Sequence, residues 1–158
     1  MLSDNFCIRP LQEKDLSAVQ LIEQQSYPHP WTSDQFLQEL HNPIASVDLF
    51  WLGPELAGYI CYWLIAGEMQ ILNVAIAPEF RGRGIGGSLL LHAFSRCSEQ
   101  GLERAWLEVR VSNKAAIRLY QKSGFVADVV RTGYYRDGED ALLMVKEFLP
   151  TEKSSRIV

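Results

Sequence analysis

The sequence has few cysteines and histidines, and neither set is spaced for a metal site. The three cysteines, Cys7, Cys61 and Cys97, lie far apart and form no CxxC pair. A disulfide framework or a zinc site therefore fits poorly. The three histidines show no HExxH or comparable ligand spacing. We expect no bound metal.

The sequence also lacks long hydrophobic runs. No apolar stretch reaches the roughly 18 residues that a membrane-spanning helix needs. The longest candidate, 56–66, is interrupted by Gly58. The first residues lack the basic start and apolar stretch of a secretory signal. We expect a cytoplasmic protein without membrane attachment.

The length and composition indicate a single globular unit. The chain has 158 residues, of which 47% are hydrophobic and 22% are charged. These values are ordinary for one folded domain. We expect one domain over 1–149 and a flexible tail over 150–158.

The net charge of −4 is unevenly distributed. Residues 1–68 carry nine acids and two bases, whereas 69–158 carry ten acids and thirteen bases. One interpretation is chance variation of a solvated surface. The other is that the second half holds an anionic ligand while the first half attracts a basic one. The acidic total makes nucleic acid a poor partner.

Hydrophobic periodicity and turn residues predict an α+β fold with one mixed, mostly antiparallel sheet covered by helices. Short turns between the strands of 46–77 predict antiparallel hairpins. Thr32 begins a helix, and Gln35 occupies its capping-box position. Strands are predicted at 5–9, 46–52, 56–66, 69–77, 105–111, 125–132 and 140–148, and helices at 11–26, from 32, at 85–97 and at 113–123.

A glycine-rich loop, 81–88, lies between a predicted strand and a predicted helix. Glycines let the backbone approach a ligand, and N–H groups at a helix start favour a phosphate. A Walker loop fits poorly because Ser88 stands where lysine is required. The dinucleotide pattern GxGxxG matches formally. In a dinucleotide-binding fold, however, the first glycine directly follows the strand, whereas here residues 78–81 separate the two.

A third interpretation is Arg-x-x-Gly-x-Gly, formed by Arg81, Gly84 and Gly86. The whole stretch 73–90 resembles the coenzyme A signature of the GCN5-related N-acetyltransferase (GNAT) family. Further segments resemble the branch of that family that acetylates the α-amine of a ribosomal protein. They are 28–32, 106–113, 116–125 and 134–144.

The resemblance implies a GNAT fold in which strands 73–77 and 105–111 splay apart to hold acetyl-CoA. The pantetheine arm would pair with the backbone of Val74 and Ile76, and the pyrophosphate would sit on the amides of 82–87. Asn113 would face the thioester end, although helix capping also explains an asparagine there. The implied cofactor-binding residues are Val74, Ala75, Ile76, Arg81, Gly82, Arg83, Gly84, Ile85, Gly86, Gly87 and Asn113.

The chemistry requires two proton carriers. An amine attacks a thioester only when neutral, and an α-amino group has a pKa of about 7.7–8.0. A base must accept its proton, and an acid must protonate the departing thiolate. The resemblance implies Glu108 as the base and Tyr120 as the acid. Spacing alone also allows an exposed glutamate paired with Arg110 and a buried core tyrosine.

The resemblance implies a substrate with an N-terminal alanine followed by basic residues, as in the tail of the eighteenth small-subunit ribosomal protein. Trp31, Tyr134 and Tyr135 would line its groove, although ordinary aromatic packing explains them equally well. We expect a monomer. Two rival functions remain open: acetylation of a lysine side chain or a small amine, and a non-catalytic acetyl-CoA sensor.

Overall fold

The computed structural model describes residues 5–148, so the expected tail over 150–158 lies outside the described residues. The helices and strands follow the predicted order. The strands are β1 (Phe6–Pro10), β2 (Ala45–Leu52), β3 (Glu55–Ile65), β4 (Glu68–Ile76), β5 (Arg104–Arg110), β6 (Val126–Arg131) and β7 (Ala141–Glu147). The helices are α1 (Leu16–Ser26), α2 (Ser33–Leu40), α3 (Ile85–Ser98) and α4 (Lys114–Lys122), with 3₁₀ turns at Glu13–Asp15 and Pro78–Phe80.

The seven strands form one sheet in the order β1-β2-β3-β4-β5-β7-β6. The β2–β3 hairpin is antiparallel, with Asp48 opposite Ile60, and β7 runs antiparallel to both β5 and β6. The predicted α+β class with a mixed, mostly antiparallel sheet is confirmed.

The first helix begins later than its periodicity predicts. We expected it from Leu11, but α1 begins at Leu16 after a 3₁₀ turn. The carboxylate of Asp15 accepts a 2.9 Å hydrogen bond from the backbone N–H of Gln12 and pairs with Arg9 at 2.9 Å. These bonds satisfy the polar groups of a tight turn, so the α-helix begins only after that turn.

The chain divides into two compact units, and the prediction of a single domain over 1–149 stays a prediction. The first unit comprises residues up to 63 together with 71–93. Its core includes Leu49, Phe50 and Tyr59, all fully buried. β3 and β4 approach so closely that a Cβ added to Gly58 would lie 2.8 Å from the Ala75 carbonyl oxygen.

The second unit comprises 64–70 and the chain from 94 onward. Its core is built from β5, α4 and β7, and includes Leu107, Phe125 and Met144, each at most 2% exposed. Every residue of β6 is exposed, which is consistent with its place at the edge of the sheet.

Candidate active site

The glycine loop has a backbone that only glycine adopts easily. Gly82 and Gly84 have φ of 78° and 79°, in the left-handed region that other residues resist. A Cβ at either position would meet nothing within 4 Å, so the space beside the loop is open. α3 begins at Ile85, which places Gly86 and Gly87 in its first turn. First-turn N–H groups have no acceptor within the helix and can bind an anion.

The two arginines of the loop make contacts within the first unit. Arg81 donates from Nε to the Ile76 carbonyl at 3.0 Å and from Nη2 to Ser26 Oγ at 3.3 Å. These bonds tie the loop to the end of β4 and to α1. Arg83 donates to the Glu79 carbonyl at 3.4 Å. Both arginine residues remain exposed.

The end of β4 carries the three predicted pantetheine-binding residues. Val74 and Ala75 are buried and Ile76 is partly exposed. The hydroxyl of Tyr27 donates a 2.6 Å hydrogen bond to the Val74 carbonyl. No local sequence pattern connects Tyr27 with Val74, because the two residues are 47 positions apart.

A buried carboxylate joins three parts of the first unit. Glu23, at the end of α1, is 1% exposed. Its Oε2 accepts from Asn73 Nδ2 at 2.7 Å and from the Tyr59 hydroxyl. Its Oε1 accepts from the Trp31 backbone N–H at 3.0 Å. Glu23 therefore binds both the loop that carries Trp31 and Asn73, the first residue of the strand predicted to hold the cofactor.

The sequence held a signal for Glu23 that we missed. Glu23 follows Val19 and Ile22 at helical spacing, on the face of α1 that is buried. An ionisable residue on an apolar helix face needs hydrogen-bond partners, because burying an unpaired charge is costly.

Trp31 is fixed by α1 and α2. Besides the bond from its N–H to Glu23, its carbonyl accepts from Gln20 Nε2 at 2.6 Å. Its ring lies 5.2 Å from the ring of Phe36, which is fully buried. Trp31 belongs to the first unit, whereas Tyr134 and Tyr135 belong to the second.

β5 shows the predicted alternation of its two faces. Glu108 and Arg110 lie on the partly exposed face, and Leu107 and Val109 are buried. Glu108 Oε2 is buried and has no hydrogen-bond partner among residues 5–148. Arg110 pairs not with Glu108 but with two acids of the β6–β7 loop. The structure therefore does not support the alternative in which Glu108 pairs with Arg110.

Two tyrosines of the β6–β7 loop lie beside Glu108. The pKa of Tyr134 is raised, first by hydrogen bonding of its hydroxyl to the Glu108 carboxylate and then by burial. Burial also raises the pKa of Tyr135, while the charge of Arg110 acts against it and that of Glu108 adds to it. Their rings pack edge to face at 5.1 Å. These two predicted groove residues and the predicted base thus form one cluster.

Tyr120 lies in the last turn of α4, as predicted, and is 7% exposed. Burial raises its pKa well above the usual range of tyrosine, and the nearby Tyr135 hydroxyl adds to the shift. Its ring packs 5.9 Å from Phe125. No hydrogen bond joins its hydroxyl to another of the described residues.

Asn113 caps α4. Its Oδ1 accepts from the Ala116 N–H at 3.2 Å, which confirms the capping role that the sequence allowed. Its role towards the cofactor stays a prediction.

Residues 16–125 match the sequence profile of the Acetyltransferase (GNAT) family, well over half of the chain. The chain belongs to this family. The match decides among the three interpretations of the glycine loop in favour of the GNAT signature, and it makes the protein an N-acetyltransferase.

Curated relatives span nearly the whole chain. A Bacillus subtilis (strain 168) relative, proposed by its name to be a ribosomal protein bS18-alanine N-acetyltransferase, is 42% identical over 139 residues. The match covers 87% of this chain and 92% of that protein. The ribosomal protein bS18-alanine N-acetyltransferase of Escherichia coli (strain K12) is 34% identical, over 87% of this chain and 94% of its own.

Solved structures show the same fold. The ribosomal-protein-S18-alanine N-acetyltransferase from Escherichia coli superposes with a TM-score of 0.82 at 31% identity, covering 90% of this chain and 93% of that one. Ard1 from Thermoplasma volcanium reaches a TM-score of 0.86 at 31% identity, covering 92% and 99%. The GNAT fold expected from the resemblance is therefore confirmed.

The described part of the chain also bears on metal sites and membrane spans. Over 5–148, no group of three or more His, Cys, Asp or Glu residues is arranged to hold a metal ion. No helix in that range is long and apolar enough to cross a membrane.

Proposed function

We propose that this GNAT acetyltransferase moves an acetyl group from acetyl-CoA to the α-amine of an N-terminal alanine, with ribosomal protein bS18 as its substrate. The observation that carries the proposal is the similarity to the Escherichia coli bS18-alanine acetyltransferase along 94% of that enzyme. The cluster of Glu108 with Tyr134 and Tyr135 supports it, because it joins a base to candidate peptide-binding groups.

The glycine loop fits the pyrophosphate of the cofactor. The open space beside Gly82 and Gly84 leaves room for phosphate oxygens close to the backbone. The first-turn amides of α3, including those of Gly86 and Gly87, are oriented to donate to an anion. We propose that Ile85 acts only through its backbone, because its side chain is 1% exposed in the core. Arg81 and Arg83 add positive charge at the loop.

The cofactor supplies an acetyl group activated as a thioester, which a neutral amine attacks directly. We propose that Glu108 accepts the proton of that amine. Its Oε2, which has no hydrogen-bond partner among residues 5–148, is the acceptor that the reaction needs. No covalent acetyl-enzyme is needed, because the base acts on the attacking amine itself.

Tyr120 is the proposed acid. A tyrosine is protonated at neutral pH, and burial, which raises the pKa of Tyr120 further, keeps it so. Its hydroxyl can therefore donate a proton to the departing thiolate. A donor at this point lowers the free energy of the leaving group.

Trp31, Tyr134 and Tyr135 are proposed to contact the peptide backbone and its first side chain. The net charge of −7 over residues 1–68 would attract the basic residues that follow the alanine. We further propose that the enzyme acts as a monomer and without nucleic acid.

Intact-mass analysis of synthetic peptides tests the proposal. A peptide with a free N-terminal alanine followed by basic residues should gain one acetyl group in the presence of acetyl-CoA. The same peptide with a blocked N-terminus should gain none. Acetylation of lysine in the blocked peptide would instead favour the lysine-directed alternative. Binding of acetyl-CoA without transfer to any amine would favour the sensor.

A further inference from the structure

Arg110 lies on the same face of β5 as Glu108, two residues further along the strand. Its side chain is 19% exposed. Its Nη1 lies 2.8 Å from Asp137 Oδ2 and 3.0 Å from Glu139 Oε1. One guanidinium therefore binds two carboxylates of the loop between β6 and β7, here called the tyrosine loop (residues 132–140).

The tyrosine loop is closed by bonds that converge on these two acids. Glu139 Oε2 accepts from the Ser112 N–H at 3.0 Å, and Asp137 Oδ1 accepts from the Glu139 N–H at 3.1 Å. The Tyr135 N–H donates to the Glu139 carbonyl at 3.1 Å. The hydrogen bond to Ser112, with the Arg110 contact, lowers the pKa of Glu139 and so stabilises its charged form.

Arg110 also contacts the aromatic part of the loop. Its guanidinium lies 4.0 Å from the centre of the Tyr135 ring, a stacking distance for a cation on an aromatic face. Tyr135 in turn packs edge to face against Tyr134, which lies beside Glu108. The loop is thus held to β5 at Arg110, and its two tyrosines lie beside Glu108 on the same strand face.

We propose that Arg110 is a positioning residue for acetyl transfer: it holds the tyrosine loop so that Tyr134 and Tyr135 stand beside Glu108. The inference rests on the proposed function, in which Glu108 is the base and the two tyrosines bind the peptide. Arg110 itself touches neither the amine nor the acetyl group in this proposal.

The chemistry of the guanidinium explains why arginine is required. It is planar, so it stacks on Tyr135, and its several N–H groups allow it to engage two carboxylates together. A lysine at the same place keeps the charge but cannot stack in this way. Conservative replacement is therefore the sharpest test.

The experiment compares Arg110→Met and Arg110→Lys with Arg104→Met as matched control. Arg104 lies on the same strand face and also forms an ion pair, 3.2 Å from Glu147, at the other end of β5. The measurements are kcat and KM for an alanine peptide, calorimetric binding of acetyl-CoA, and hydrogen exchange of residues 132–140.

For Arg110→Met we expect kcat/KM for the peptide to fall by roughly 10- to 100-fold, since small misplacements of catalytic groups have effects of that size. Amide exchange in the tyrosine loop should accelerate, while acetyl-CoA binding stays unchanged. Arg110→Lys should recover only a minor part of the activity, and Arg104→Met should match the parent.

Two results would overturn the inference: parental kinetics and loop exchange in a folded Arg110→Met protein, or full activity in Arg110→Lys. If Arg110→Met fails to fold, Glu139→Gln weakens the same anchor, and unchanged loop exchange and kcat/KM there would also overturn it. If the parent acetylates no alanine peptide, the proposed function fails, and loop exchange in the variants still decides whether Arg110 holds the loop.

Discussion

The backbone N–H of Trp31 donates a 3.0 Å hydrogen bond to the buried carboxylate of Glu23. The same carboxylate accepts from Asn73 and Tyr59. One side chain of α1 therefore fixes both the loop proposed to meet the peptide and the first residue of the coenzyme A signature.

Replacing Glu23 with alanine should destabilise the protein. The variant leaves buried donors of Asn73 and Tyr59 without their acceptor, at a cost of about 1–3 kcal/mol for such a group. Urea denaturation measures the free energy of unfolding. Glu23→Gln keeps the shape and one acceptor oxygen, so it should lose less. Equal stability of Glu23→Ala and the parent would contradict this account.

Replacing Glu108 with glutamine should lower kcat by about 100- to 10,000-fold, the range typical of a general base. The amide keeps the shape of the side chain but cannot take the proton of the amine. Calorimetry should find acetyl-CoA binding intact. Glu147→Gln, on an exposed side chain of β7, provides the control. A Glu108→Gln enzyme with parental kcat would remove the base from the mechanism.

Tyr120→Phe and Tyr62→Phe should have opposite effects. The Tyr120 hydroxyl bonds to no other described residue, so its removal should lower kcat with little change in the free energy of unfolding. The Tyr62 hydroxyl donates a 2.7 Å hydrogen bond to the buried Asp48. Its removal should cost about 1–3 kcal/mol of stability and leave kcat unchanged. Kinetics and urea denaturation of both proteins check the contrast, which would vanish if Tyr120 were only a core residue.

The protein should become less stable at acid pH because the carboxylate of Asp15 becomes protonated. Burial alone would raise the pKa of Asp15, but hydrogen bonds from Arg9 and the Gln12 N–H outweigh it, and the net shift is downward. Because the folded-state pKa lies below the unfolded one, this contribution is complete above about pH 4 and is lost as pH falls through the folded value.

The Arg9→Met variant tests this predicted pH dependence of stability. The variant should be less stable than the parent at pH 7, by about 1.5–3 kcal/mol for a hydrogen bond to a charged group. The difference should shrink as the pH is lowered below 4. Thermal unfolding at a series of pH values measures it, and a difference that stayed constant with pH would refute the role of Asp15.

Local patterns predicted most of the fold because the forces that start and stop elements are themselves local. The Thr32–Gln35 capping box forms as expected, with bonds of 2.8 and 3.2 Å. The predicted start of the first helix was wrong by five residues. Arg9 and Asp15 pair across a turn, and hydrophobic periodicity does not reveal such a contact.

The sequence by itself determined the order of the elements, the glycine loop and the two faces of β5, since each depends on residues close together along the chain. Tertiary structure decided which partners those residues meet. Asn73 lies 50 positions from Glu23, and Asp137 lies 27 from Arg110. Contacts of that separation depend on how strands and helices pack, and no short stretch of sequence specifies them.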